Sequence, residues 1–371
     1  MKTHASGPIA VTCFTSDSGL TDYSVSLCRA MQHLNETVLV TGRRLTDAYS
    51  NFGFETVRLF RRSRWYPLDI LTFAARVISR RPAVLNWQAH LKLPFLEAFL
   101  VALFEALGIR NAITVHDVLP HYPNAWSRFE FGFFYRRFSR VVAHSEAAAS
   151  QLRALGVTAP ILVVPHGVYD VFRIASPDQP TARRLIGLER LPPTAFVVLF
   201  FGNLESRKGL VEFLRVADRL RDVPDFHFVV AGRNDSARHG CELPALIEAA
   251  RTAANVTMHD TRVPFEAVEN YFCAADLVAL PYREGTTSGV LKLALAFGVP
   301  AAASRVGDFP EQLPAGAGEL FEADAHMVDS LQAAVLHART QGASQRAAMH
   351  AAAKTCEWAD IARRYRDFLF D

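Results

Sequence analysis

Cysteine is scarce in this sequence and badly placed for cross-linking. Five cysteines, Cys13, Cys28, Cys241, Cys273 and Cys356, are scattered, odd in number and form no C-x-x-C pair. That excludes a disulfide frame and a thiolate zinc site, and it suits a reducing compartment. No run approaches the roughly 20 apolar residues of a membrane-spanning helix. The longest apolar stretch, 93–107, carries Glu97 and Glu105 and reads as a core helix. The first residues, Met1-Lys2-Thr3-His4-Ala5-Ser6-Gly7, lack the apolar centre of a signal peptide. The expected location is therefore cytoplasmic, with attachment to the inner face of the cell membrane as the alternative. Neither charge sign dominates, with a formal net charge of +3. Neither GxGxxG, nor GxxxxGK[ST], nor DxD occurs, which argues against a dinucleotide fingerprint, a P-loop and a carboxylate-held metal. No metal, cofactor or nucleic-acid partner is expected.

What remains is ordinary globular material, 50% hydrophobic and 21% charged, in 371 residues. That is too long for one usual core, so two domains are expected. The first, 1–175, opens with the apolar run 9–14, then a polar loop with Gly19, then a helix that Asp22 is placed to cap. Further strands are expected at 37–41, 56–59, 83–87, 112–115, 141–144 and 161–164, with helical patterns between most of them. The pattern is a parallel doubly wound sheet. A Pro-rich charged segment, 176–193, reads as a linker, and a second parallel domain follows over 194–356. The helix 357–371 is aromatic and amphipathic.

Ligands bind such sheets at the carboxyl ends of strands. Two stretches stand out there. Gly202-Asn203-Leu204-Glu205-Ser206-Arg207-Lys208-Gly209 follows the apolar strand 195–201, and Arg207 and Lys208 suit a diphosphate. Thr287-Ser288-Gly289-Val290 opens a helix after the strand 277–280, where unpaired N–H groups and the positive dipole end favour a phosphate. Gly232-Arg233 ends the strand 226–231. In the first half, His116-Asp117 ends the strand 112–115, and His166-Gly167 follows 161–164. A histidine at a strand end contacts a ligand hydroxyl or a phosphate, or is structural, and the sequence leaves both open for His116; His166-Gly167 reads rather as an interdomain turn.

Residues 1–180 carry 19 basic against 13 acidic side chains. Two basic–aromatic runs, 58–66 and 129–140, fall in this half. Arginines beside aromatics suit an anionic membrane surface, or are a solvated face over inward-packed rings.

Taken in order, Gly202…Lys208-Gly209, Pro281-Tyr282…Glu284…Ser288-Gly289…Phe297-Gly298-Val299-Pro300…Gly307…Glu311, preceded by Val163-Val164-Pro165-His166-Gly167 and followed by Trp358, resemble the family 4 glycosyltransferases, in the variant associated with bacterial polysaccharide assembly. The resemblance implies a GT-B fold of two Rossmann-like domains facing a cleft. It implies a UDP- or GDP-sugar donor on the second domain and a saccharide or lipid-linked acceptor on the first, with the last helix packing back on the first. It places Lys208, and less directly Arg207, on the diphosphate. Ser288 and Gly289 fall on the distal phosphate, Glu284 and His116 on the transferred sugar. Gly202, Asn203, Gly232, Arg233, Thr287, Val290 and Lys292 fall along the donor pocket, and Gly19, Asp22 and Asp117 toward the acceptor. His116, Glu284 and Lys208 become the catalytic candidates. Retaining transfer without a metal is implied, since the leaving phosphate itself accepts the acceptor's proton.

Two positions depart from the family pattern. Lys292 stands where a second glutamate usually binds the ribose, and Asn203 where an arginine is common. These departures keep open a catalytically silent GT-B subunit. A nucleotide-sugar epimerase is the other alternative.

Overall fold

The computed structural model describes residues 7–371 apart from 17, 62, 89–91, 121–123, 235–240 and 286–287. It divides into two compact units. One comprises the chain up to Gly167 together with Cys356–Asp371, the other Val168–Thr355.

The first unit alternates strands and helices. In chain order it contains β1 (Ile9–Cys13), α1 (Gly19–Met31), β2 (Thr37–Gly42), β3 (Glu55–Phe60), α2 (Tyr66–Arg80), β4 (Val84–Gln88), α3 (Pro94–Ala106), β5 (Arg110–Val115), α4 (Ser127–Tyr135), β6 (Arg140–Ala143), α5 (Glu146–Ala154) and β7 (Ile161–Val163). The seven strands pair in parallel in the order β3-β2-β1-β4-β5-β6-β7. β1 and β4 are buried at every position, as parallel strands covered on both faces must be. That burial explains why they read as unbroken apolar runs. The order reverses between β1 and β4, so the carboxyl ends there form a switch point.

The second unit repeats the plan with α6 (Gln179–Leu185), β8 (Phe196–Phe201), α7 (Leu210–Arg219), β9 (Phe226–Ala231), α8 (Leu243–Thr252), β10 (Val256–His259), α9 (Val268–Ala274), β11 (Leu277–Leu280), α10 (Gly289–Phe297), β12 (Ala301–Ser304), α11 (Phe309–Gln312), β13 (Gly318–Phe321) and α12 (Met327–Thr355). Its six parallel strands run β10-β9-β8-β11-β12-β13, and the switch point lies between β8 and β11.

The final helix, α13 (Trp358–Phe370), belongs to the first unit. Tyr365 bonds Tyr23 hydroxyl to hydroxyl at 2.6 Å. Arg110 and Arg140 donate to the carbonyls of Leu369 and Phe368 at 2.7 and 3.1 Å. A side chain at Gly167 would collide with the Trp358 ring, so that glycine is where the tryptophan closes on the backbone.

Three local readings of the sequence differ from what is observed. The stretch 176–193 is folded onto the second unit. Asp178 caps α6 through Thr181 N–H, Pro180 sits in its first turn, and Arg183 bonds Asp276 and the Ala195 carbonyl at 2.8 and 2.9 Å. A proline at a helix start pre-sets φ and loses no needed donor, so the prolines that suggested a linker open a helix. α1 starts at Gly19 with Ser18 as N-cap. Asp22 therefore lies inside the helix and accepts from Tyr49 O–H at 2.6 Å rather than capping it. α3 is only half a core helix, because it buries Glu97 and exposes Phe95 and Phe99.

Candidate nucleotide-binding site

In the second unit, β8 ends at Phe201 and the chain turns through Gly202, whose φ of +110° a residue with a side chain would adopt only under strain. A single turn, Ser206–Lys208, then leads to Gly209, left-handed at φ +72°, which starts α7. Gly209 has no room for a side chain because a Cβ there would overlap the Pro281 carbonyl oxygen. Gly232 likewise backs onto the Gly202 carbonyl. The ends of β8, β9 and β11 are thereby drawn together by two glycines whose missing side chains the neighbouring backbone fills.

That approach sets the cation over the helix start. A Cβ on Gly202 would meet Lys208 Nζ at 3.1 Å and Val290 Cγ2, in the first turn of α10, at 3.7 Å. Lys208 Nζ also lies 5.4 Å from the Tyr282 ring centroid, in a cation–π arrangement. Among the described residues Lys208 has no carboxylate partner. Tyr282 hydroxyl is 3.3 Å from Ser288 Oγ. Ser288 is buried at the N-cap of α10 and its side chain caps nothing, so among the described residues no side chain caps the first turn, whose N–H groups suit an outside acceptor. A Cβ on Gly289 would sit 3.1 Å from the Tyr169 ring. One ammonium, one helix N-terminus and two tyrosine rings thus share the switch point between β8 and β11, an arrangement suited to a diphosphate.

The other candidates of this unit are placed less directly. Arg207 is committed to the buried Glu205, Nη2 to Oε2 at 3.0 Å, and donates to the Glu284 carbonyl at 3.4 Å. Its role here is to tie the turn 205–208 to the loop after β11, a task seconded by Arg283 N–H donating to the Arg207 carbonyl at 2.9 Å. Glu284 and Arg233 are exposed and Asn203 is half-buried. Thr287 lies outside the described residues. Lys292 is 2% exposed and donates to Gln312 Oε1 on α11; it faces the protein interior and not solvent. Tyr282 and Tyr169, both absent from the candidate residues, are the ones the sequence reading missed. The signal for Tyr282 was its position just after an apolar strand.

In the first unit, β5, β6 and β7 lead into His116, His144 and His166. His116 Nε2 meets Gln88 Oε1 at 2.7 Å. Its ring packs edge-on to Tyr23 at 4.5 Å and tilted to His144 at 4.9 Å. Burial, and then His144, hold its pKa well below the ordinary value, so the ring is neutral near pH 7. His166 and Trp358 also pack on Tyr23, at 4.8 and 5.1 Å, which gives His166 a packing role. Asp117 is half-buried and its carbonyl accepts from Tyr135 O–H at 3.2 Å. Gly19 is exposed in α1 and, without a positive φ, serves no tight turn.

Comparison with known proteins adds the following. Residues 18–170 match the family described as Glycosyltransferase Family 4, and residues 195–340 the one described as Glycosyl transferases group 1. The D-inositol 3-phosphate glycosyltransferase of Segniliparus rotundus is 32% identical over 175 residues, 46% of this chain and 38% of that enzyme. The chain thus matches less than half the length of this relative. The lipopolysaccharide core biosynthesis mannosyltransferase LpsB of Rhizobium meliloti is 26% identical over 310 residues, covering 81% of this chain and 78% of that protein. Among solved structures, Anabaena HepE in complex with UDP-glucose superposes with a TM-score of 0.76 at 15% identity, over 97% of this chain and 98% of that one. Likeness at that identity speaks for the fold, two Rossmann-like units of the GT-B type.

Proposed function

Because the chain belongs to the GT-B glycosyltransferases of the family 4 type, we propose that it transfers a hexosyl unit from a nucleoside diphosphate sugar, UDP- or GDP-linked, to a hydroxyl of a saccharide or lipid-linked saccharide. The process served would be assembly of a bacterial lipopolysaccharide or exopolysaccharide. The observation that carries the reading is the convergence of Lys208 Nζ and the first turn of α10 over Gly202. The UDP-glucose held by the Anabaena neighbour and the mannosyltransferase activity named for the Rhizobium relative support the donor class.

The chemistry follows from charge. The bond between the sugar's anomeric carbon and the diphosphate oxygen breaks through an oxocarbenium-like state, and negative charge grows on the leaving diphosphate. Lys208 and the N–H groups of Ser288, Gly289 and Val290 stabilise that charge where it develops. Gly202 leaves room for the phosphates, Gly232 lets the end of β9 close on the Gly202 turn that borders them, and Glu284 contacts the sugar. Arg207 steadies the turn that carries Lys208. His116, neutral, bonds a sugar hydroxyl without adding a charge that would compete with the oxocarbenium. In a retaining reaction the departing phosphate oxygen takes the acceptor's proton, so the paired carboxylates of a glycosidase are not required. The first unit, through Gly19, Asp22 and Asp117, takes the acceptor.

Isothermal titration with UDP and GDP tests the site. Binding of one of them, weakened at least tenfold in Lys208→Ala with an unchanged melting temperature, is expected. Binding of neither nucleotide, or equal binding by the variant, would remove the assignment.

A further inference from the structure

The large hydrophobic side chains left exposed are not spread over the molecule. Of the twelve such residues among the described ones, eight lie on three successive helices of the first unit or directly before them. α2 and the residue preceding it expose Trp65, Leu68 and Leu71; α3 exposes Phe95 and Phe99 behind Leu93; α4 exposes Phe129 behind Trp126. Trp126 is 69% and Phe99 61% exposed. Single exposed apolar residues need no explanation, but clusters on neighbouring elements mark contact sites.

These helices are joined into one surface. Tyr66, first residue of α2, donates its hydroxyl proton to the buried Glu97 of α3. The same carboxylate accepts from Lys92 N–H at 3.1 Å, and Lys92 Nζ lies 5.1 Å from the Tyr66 ring centroid. Phe95 packs on Phe133 of α4 at 5.5 Å, and Phe129 stacks on Phe133 at 6.3 Å. The exposed apolar residues therefore crown three contiguous helices.

The exposed charge on this surface is mainly positive, with Glu130 of α4 half-buried among it. Arg61 and Arg64 lie over the Trp65 ring at 4.6 and 5.9 Å, and Arg137 over Phe133 at 4.7 Å. Arg128 is exposed beside Phe129. Asp69 is buried against Arg61 and Glu97 against Tyr66, so two of the acids on these helices face inward. Exposed tryptophan and phenylalanine carrying guanidinium groups match the bilayer interface, where rings sit at headgroup depth and arginines meet lipid phosphate. No helix among the described residues is long and apolar enough to cross a membrane, so the surface would lie on a bilayer and not in it.

We propose that the α2–α3–α4 face, through Trp65, Leu68, Phe95, Phe99, Trp126 and Phe129 with their flanking arginines, docks this protein on an anionic lipid bilayer. The face is independent of the donor-site reading: its residues lie in the first unit, none of them is placed at the nucleotide, and a chain that binds no nucleotide would still bind vesicles by this route.

Vesicle co-sedimentation with the full chain tests it. Phosphatidylcholine vesicles containing about one third phosphatidylglycerol should bind the protein at low salt, pure phosphatidylcholine vesicles should bind it far less, and salt should weaken the difference as the screening length shrinks. Two of the four tryptophans, Trp65 and Trp126, are exposed while Trp87 and Trp358 are buried, so vesicle binding should shift the tryptophan emission to the blue. Phe95→Ser with Phe99→Ser should weaken binding about tenfold or more, leave the nucleotide titration unchanged and lower the melting temperature only slightly, since both side chains are largely exposed and Phe95 gives up its contact with Phe133. Arg128→Glu should weaken binding to anionic vesicles only. Absence of binding by the wild-type protein at low salt, or equal binding by the double variant, overturns the proposal. So does concentration-dependent self-association that the double variant abolishes, because that outcome assigns the face to a second copy.

Discussion

Lys292 and Gln312 are joined across α10 and α11, the lysine ammonium donating to the glutamine oxygen in a site where Lys292 is 2% exposed. The family's usual glutamate at this position would place a carboxylate in the same interior. Lys292→Glu is therefore predicted to lower stability by about 2 kcal/mol or more, since a buried anion whose nearest partner is the neutral Gln312 amide is poorly compensated. Lys292→Met, which keeps the volume and removes the donor, should cost about 1–3 kcal/mol. Urea denaturation of the three proteins decides it. A glutamate variant as stable as the wild type would mean that the lysine is not placed as described.

Gly202 and Gly209 make a contrasting pair. At Gly202, φ of +110° and Lys208 Nζ at 3.1 Å confront any side chain with moderate strain and a movable neighbour. Gly202→Ala should fold, melt a few degrees lower for a loss of about 1–2 kcal/mol, and bind UDP or GDP at least tenfold more weakly because Lys208 is pushed aside. At Gly209 the obstacle is the Pro281 carbonyl, a backbone atom, so Gly209→Ala should not yield a stably folded second unit. Soluble yield, melting temperature and titration give the comparison. Unaltered nucleotide affinity in Gly202→Ala would detach Lys208 from the site.

The sequence was most legible where burial is complete. β9 and β11 are buried at every position and fall where the apolar runs place them, because strands covered on both faces carry mostly apolar residues. The half-buried edge strand β10 and the amphipathic α13 were legible from their local patterns. β13, Gly-Glu-Leu-Phe, was missed. It is an edge strand, half-buried, and its glycine is there because a Cβ would overlap the Ala301 carbonyl. α12, 29 residues long, gave little sign of itself because it is mostly alanine and polar residues without a strong apolar stripe. At the candidate site, glycines and cations were readable as types at strand ends. What was not readable is commitment: that Arg207 belongs to Glu205, that Lys292 is buried, and that Tyr282 lies under Lys208. Each depends on which residues from distant parts of the chain meet, and spacing carries no information on that.

His227 gives a pH dependence with a definite sign. It lies on β9, 6% exposed, with Nε2 2.8 Å from Thr257 Oγ1. Burial, and then Arg183, push its pKa from 6.5 down to about 4. Between those two values the unfolded chain binds a proton that the folded chain refuses, so stability rises with pH there. The contribution is whole above about pH 6.5 and is lost as pH falls toward 4, to a depth on the order of 2–3 kcal/mol. His116 and His259 are shifted in the same direction and add to the slope. His227→Gln, which keeps a polar partner for Thr257, should flatten the fall between pH 6.5 and 4 without abolishing it. Urea midpoints at pH 7, 5.5 and 4.5 suffice. An unchanged slope in the variant would show that His227 is as free to protonate in the folded chain as in the unfolded one.

Tyr23 and Tyr365 link α1 to α13, and Tyr365 also reaches Thr114 Oγ1 of β5 at 3.2 Å. Both tyrosines are fully buried, so the bond between their hydroxyls is shielded from water, with Thr114 as a second partner for Tyr365. Tyr23→Phe and Tyr365→Phe should each cost about 1–2 kcal/mol, and the double variant less than their sum, because the second removal leaves no orphaned hydroxyl at this pair. Activity separates packing from hydrogen bonding. Tyr23→Phe keeps the ring that meets His116 edge-on at 4.5 Å, so turnover should change little once the protein is folded. Tyr23→Ala removes the ring, frees His116 to turn, and should lower turnover with nucleotide affinity unaltered, since the nucleotide is assigned to the other unit. Strict additivity of the two phenylalanine variants would break the link between α1 and α13 as drawn. Equal turnover in Tyr23→Phe and Tyr23→Ala would remove His116 from the transfer step.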